Sequence, residues 1–176
     1  MDRGSEGIIA IIGFMGAGKS TVGALLASRL GMVFVDLDEA IVSRSRKSIN
    51  EIFAEEGERG FREREHEALR LELEEGSKVI SCGGGVVLRE DNARMLRDKA
   101  RVYLLKISKE EAIERLAGGG ERPLMEGGDP EETVRILMEE RAERYLEAAH
   151  EVIEADESGP EEIAEEIAAR WRKYRS

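Results

Sequence analysis

Apolar residues along the chain keep two rhythms. Short continuous runs recur at residues 8–12, 32–36, 78–81, 101–107 and 151–154, the first reading Ile-Ile-Ala-Ile-Ile. Runs of this length, rich in β-branched residues, predict strands buried on both faces. Between them apolar residues fall three and four apart, the period of amphipathic helices. Ser48-Ile49-Asn50-Glu51 and Ser108-Lys109-Glu110-Glu111 fit the capping box that opens a helix. Asp129-Pro130 and Gly159-Pro160 place proline at a first helical position. The last helix runs from Glu161, Glu162, Glu165 and Glu166 to Arg170, Arg172, Lys173 and Arg175, the order its dipole favours. Five strands alternating with helices predict an α/β fold, a doubly wound parallel sheet that gathers ligands at the carboxyl ends of its strands. With neither repeat nor linker, residues 1–176 read as a single domain.

One loop carries chemistry on its face. Gly13-Phe14-Met15-Gly16-Ala17-Gly18-Lys19-Ser20 follows the first strand and opens a helix, which is the context a P-loop requires. Its glycines let backbone N–H groups turn around a phosphate chain, and the helix adds its positive dipole end. Gly16, Ala17, Gly18, Lys19, Ser20 and Thr21 are therefore candidate ATP-binding residues. Lys19 would reach the β- and γ-phosphates, and Ser20 would ligate Mg²⁺. The plain alternative is an ordinary glycine turn.

Some charges stand where the helical period wants apolar residues. Around residues 133–148, Val134, Leu137, Met138, Tyr145 and Ala148 form a stripe with Arg141 in its middle. A guanidinium there is costly unless it meets an anion or lines a cleft, and an internal salt bridge is the competing reading. In the helix starting near Arg59, Phe61, Ala68, Leu69 and Leu73 define an inward arc that also holds Arg62 and Glu65. These two, three residues apart, can brace each other. Glu72 intrudes as well, and His66 at the margin reads as a partly buried packing residue. Asp36-Leu37-Asp38 ends the second strand; if it stays extended, both carboxylates share one side, whereas a helix cap followed by a first-turn acid is the alternative. Gly83-Gly84-Gly85 ends the third strand and permits close approach to its backbone, and Cys82 before it reads as a small buried filler. Residues 118–128 are glycine-rich with a basic centre at Arg122, the pattern of a mobile lid, or else of a plain long connector.

Composition narrows the partners. A net charge of −11 argues against a nucleic-acid binder, so an anionic substrate needs a local basic island. The single cysteine excludes an intrachain disulfide and suits a reducing compartment, and the apolar run near the start is too short for a signal peptide or membrane span. A cytoplasmic protein, and a monomer in the absence of any feature demanding an interface, are the expectations.

Taken in order, G-F-M-G-A-G-K-S-T-V-G, D-L-D, F-R-x-x-E, G-G-G, R-P-L and R-x-x-x-Y resemble the shikimate kinase family along nearly the whole chain. The P-loop is common to many activities, but the other motifs are not needed for ATP binding as such. The resemblance implies a P-loop kinase fold with five parallel strands in the order 2-3-1-4-5, helices on both faces and a lid at about 117–129. It implies transfer of the γ-phosphate of ATP to the 3-hydroxyl of shikimate, with Mg²⁺ as cofactor and a shikimate-binding region at about 37–70. On the matching positions, Asp38 would contact ring hydroxyls and polarise the attacking one. Arg62 and Arg141 would hold the carboxylate, Glu65 would steady Arg62, and Gly84 would offer its backbone to the ring. Asp36 would touch Mg²⁺ through water. Lys19, Asp38 and Arg122 would form the catalytic set, Arg122 closing over the phosphates. Arg115 would stack on adenine, with the loop at 158–160 on the base's other side. Ser81 stands where many P-loop proteins carry an acidic Walker B residue. Gluconate kinase, acting on another polyhydroxy carboxylate, is the alternative, and a GTPase is disfavoured because no N-K-x-D or T-K-x-D motif is present.

Overall fold

The computed structural model describes residues 7–74, 76–117 and 128–176. Strands β1 (Ile8–Gly13), β2 (Val33–Asp36), β3 (Lys78–Ser81), β4 (Arg101–Lys106) and β5 (Glu151–Glu154) form one sheet in the order β2-β3-β1-β4-β5. Every pairing is parallel. The central strand β1 is buried at all its positions, as its unbroken apolar run requires. Two expected strands end one residue differently: Met32 precedes β2 and Ile107 follows β4.

The helices are α1 (Lys19–Leu30), α2 (Leu37–Ser45), α3 (Ile49–Glu72), α4 (Glu90–Lys99), α5 (Lys109–Ala117), α6 (Pro130–Ala148) and α7 (Pro160–Arg175). Parallel crossovers are right-handed, so the direction of each step along the sheet decides which face its helix covers. The step from β1 to β2 runs one way and carries α1; the later steps run the other way and carry the helices up to α6. Consistent with this, α1 packs on α7, whereas α4 packs on α6, β4 and α3. The direction reverses between β1 and β3, and the crevice at their carboxyl ends is where a ligand finds room.

Local signals explain most helix ends. Ser48 and Glu51 make the full capping box, with bonds of 3.2 and 2.7 Å, and Asp129 caps α6 ahead of Pro130. The box expected at Ser108 is only half made. Ser108 Oγ accepts from the Glu111 N–H, but the Ser108 N–H donates to Asp156 at 2.8 Å, while the Glu111 carboxylate takes Arg115 at 2.6 Å. Gly57, with φ 69° and ψ −174°, breaks α3 just before the arc that carries Phe61, Arg62 and Glu65. A positive φ of this kind is natural for glycine, and the break lets the second part of α3 be aimed separately.

Candidate functional site

The phosphate loop leaves β1 at Gly13, whose φ is 151° and whose missing side chain would sit 2.5 Å from the Leu105 carbonyl oxygen. Gly16 and Gly18 take left-handed conformations, and Gly18 caps α1. The Ala17 N–H donates to the Phe14 carbonyl at 3.1 Å, closing a tight turn. The first intrahelical bond runs from Val22 to Gly18, so the N–H groups of the preceding turn, at Lys19, Ser20 and Thr21, lie ahead of it at the positive end of the helix. Lys19 is buried and folds back, its Nζ donating to the Phe14 carbonyl at 2.9 Å. Ser20 Oγ donates to Asp36 Oδ2 at 2.5 Å and lies 3.3 Å from Ser81 Oγ. Two hydroxyls and a carboxylate thus meet from α1, β3 and β2. Hard oxygens beside a phosphate loop suit Mg²⁺, which keeps several waters and takes few protein ligands.

Across the crevice, β3 runs into the three glycines, and four charged side chains converge on them. A methyl group at Gly83 would lie 3.0 Å from Glu65 Oε2 and 3.2 Å from Asp38 Oδ1. At Gly84 it would lie 3.4 Å from the Met15 nitrogen of the phosphate loop and 3.5 Å from Arg141 Nη1. At Gly85 it would fall 2.3 to 2.6 Å from the Arg62 guanidinium. Arg62 donates to Glu65 Oε1 at 2.8 Å and lies over the Phe61 ring at 5.2 Å. Glu65 and Arg141 are both buried, at 1% and 6% exposure. Arg62 Nε, Glu65 Oε2 and Arg141 Nε are buried without a hydrogen-bond partner. Native proteins rarely leave such atoms unmatched, and three in one place make this turn a candidate ligand site. Burial raises the Glu65 carboxyl above its ordinary value, with the Arg62 charge opposing and the Asp38 charge adding. Burial also pushes the Tyr145 hydroxyl up to about 12, and that hydroxyl donates to the Gly84 carbonyl.

The structure corrects the extended reading of Asp36-Leu37-Asp38. Asp36 ends β2 but caps α2, accepting from the Glu39 N–H at 3.2 Å, and Asp38 stands in the first turn of that helix. The carboxylates therefore point to different tasks, Asp36 towards Ser20 and Asp38 towards Gly83. Among the described residues no carboxylate lies within 4.0 Å of Arg141, so none of them makes the salt bridge of the competing reading. Glu72 intrudes into the apolar arc because it pairs with Arg44 at 2.8 Å and Lys78 at 3.1 Å. Arg115 is tied to Glu111, to the Gly16 carbonyl at 3.0 Å and to the Ala155 carbonyl at 3.3 Å, which sets it beside the phosphate loop. Cys82 is buried and its thiol pushed up by that burial. Arg122 and most of the expected lid, 118–127, lie outside the described residues. Sequence reasoning passed over Asn92, which is fully buried and bonded to His66. A lone polar residue four before Leu96 on a charged helix carries no distinguishing local signal.

Comparison with known proteins bears on the family and the fold. The family model for shikimate kinase matches residues 15–172. The chain is 39% identical over 165 residues to a shikimate kinase of Thermodesulfovibrio yellowstonii, covering 94% of this chain and 95% of the relative. A solved shikimate kinase from Acinetobacter baumannii, in complex with shikimate, superposes with a TM-score of 0.91 at 33% identity, over 97% of this chain and 95% of that one. A gluconokinase from Sinorhizobium meliloti reaches a TM-score of 0.60 at 17% identity, over 97% and 94%, a likeness of fold alone.

Proposed function

The chain belongs to the shikimate kinase family, and from that premise we propose how its own residues divide the transfer of the γ-phosphate of ATP to the 3-hydroxyl of shikimate. Phosphoryl transfer asks for positioning and charge neutralisation more than for covalent chemistry. The loop from Gly16 to Thr21 cradles the phosphates through its backbone, with Lys19 offsetting charge on the β- and γ-phosphates. Ser20 and Asp36 are the residues that would hold Mg²⁺, which, when bound, neutralises charge on the phosphate oxygens. Arg115 flanks the nucleotide from its anchored place against Gly16. Arg122 is assigned to the transferring phosphate on its sequence motif alone.

Asp38 faces Gly83 and orients the attacking hydroxyl in line with the phosphate chain. Arg62 and Arg141 offer planar forks to the carboxylate, Glu65 holds Arg62, and Gly84 presents its backbone to the ring. All of these groups come from one chain, so a monomer suffices. No helix among the described residues is long and apolar enough to cross a membrane.

The observation that carries this reading is the cluster of unmatched buried atoms on Arg62, Glu65 and Arg141 around the glycines. A polyhydroxy carboxylate supplies what they lack, acceptors for both guanidinium Nε–H groups and a hydroxyl donor for Glu65. An assay of ADP release with shikimate, gluconate and nucleoside monophosphates as acceptors tests it. Shikimate alone should raise the rate above the ATP background; turnover with gluconate and none with shikimate would overturn the assignment.

A further inference from the structure

The two halves of the acceptor cradle come from separate elements, and one buried side chain joins them. Arg62 and Glu65 ride on α3, whereas the glycines belong to the turn after β3, which continues into a short 3-10 turn at Val86–Leu88. Asn92, on α4, is completely buried. Its Nδ2 donates to the Val86 carbonyl at 3.0 Å, and its Oδ1 lies 2.7 Å from His66 Nδ1. The carbonyl can only accept, so the amide nitrogen must face Val86 and the oxygen must face His66. His66 Nδ1 therefore carries the hydrogen of that bond. His66 immediately follows Glu65 on α3, and its ring also lies 3.7 Å from Asp91 Oδ2.

We propose that Asn92 is a positioning residue for the acceptor site, its amide fixing the register of the α3 segment that carries Arg62 and Glu65 against the glycine turn. It touches neither substrate. The Val86 N–H bonds to the Gly83 carbonyl at 3.1 Å, so holding Val86 also holds the turn that Asp38 and Glu65 face. Tyr145 grips the same turn at the Gly84 carbonyl from α6, which leaves the α3 side as the degree of freedom Asn92 removes. The phosphate loop and its partners Ser20, Asp36 and Ser81 make no bond to this amide. Loss of the amide should thus loosen shikimate binding and spare ATP.

The inference rests on shikimate being the acceptor, so the wild-type enzyme is assayed first. Failure of the wild type to use shikimate would sink that assignment, whereas normal wild-type turnover with unaffected variants would sink only the role of Asn92. Asn92→Leu should raise the KM for shikimate about tenfold while the KM for ATP stays within about twofold. An independent pair keeps the test open if Asn92→Leu does not fold. His66→Asn places an amide donor near the position of Nδ1 and should retain a near-normal KM for shikimate; His66→Leu removes the donor and should raise it in the manner of Asn92→Leu. Equal KM values for shikimate in the two folded His66 variants, or parallel changes in both substrates' KM, would overturn the proposal.

Discussion

Arg141 occupies a place on α6 where the packing pattern around Val134, Tyr145 and Ala148 would accept a leucine, and it is buried there beside Gly84. Among the described residues it has no carboxylate partner, and a buried guanidinium so placed costs stability that a bound anion would offset. Replacing it by lysine keeps the charge but loses the fork, so Arg141→Lys should weaken shikimate binding by roughly 1–3 kcal/mol in calorimetry and leave ATP binding nearly unchanged. Glu65 shows the same tension in its protonation. Its folded value lies above the ordinary 4.5, so the folded state holds the proton to higher pH than the unfolded chain does. The stability it contributes is present below 4.5 and is lost as pH rises through the raised folded value. Glu65→Gln cannot ionise; in urea unfolding at a series of pH values, its stability relative to wild type should therefore climb as pH rises from 4.5 and then level off. A relative stability that fell over that window would show the Arg62 pair outweighing burial.

Elements meet at this site through turns whose glycines do different work. At Gly13 the backbone conformation and the Leu105 carbonyl both exclude a side chain. Gly85 is different: its φ of −102° and ψ of 8° are open to alanine, and the three nearest atoms are all at the tip of Arg62. A flexible side chain can move aside at little cost to the fold. Gly85→Ala should accordingly leave the melting temperature within about 2 °C of wild type. It should also raise the KM for shikimate about tenfold by displacing Arg62. Thermal unfolding and steady-state kinetics on the same preparation separate the two effects; a large drop in melting temperature with unchanged KM would return the glycine to a backbone role.

At the scale of the whole molecule, a central apolar sheet between two helical layers keeps the strand ends in register, and the layer of α1 and α7 is closed by Trp171. This residue is 2% exposed, and its ring reaches within 3.0 Å of the place a side chain on Gly7 would occupy. Gly7 precedes β1, so Trp171 sits at the amino end of the sheet, opposite the end that carries both the phosphate loop and the glycine turn. Trp171→Ala should cost about 3–5 kcal/mol in denaturant unfolding. That corresponds to a drop of about 10 °C in melting temperature for a chain of this size. Since both substrate sites lie at the other end of the sheet, the KM values for ATP and for shikimate should change little, and alike, at temperatures where this variant is folded.

Local chemistry wrote a good part of this protein into its sequence. The P-loop, the unbroken apolar strands, the capping box at Ser48 and the prolines at 130 and 160 each depend on residues within a turn or two of one another. The misplaced arginines could be read too, because helical period alone shows that Arg141 and Arg62 lie on apolar arcs. Other features depended on partners that spacing cannot reveal. Asp36, the last residue of β2, serves also as a helix cap because α2 begins at once, which takes Asp38 out of the strand. Glu111 left Ser108 for Arg115 because Asp156, distant in sequence, took the N–H that the capping box would have used. Asn92 meets His66 across 26 residues, and Tyr145 meets Gly84 across 61. The strands, the helices and the phosphate loop were legible in the chain because each follows from short-range sterics and periodicity. That Asp38, Glu65, Arg62 and Arg141 gather at one glycine turn came from the folded chain, because their convergence requires the sheet order and the packing of three separate helices.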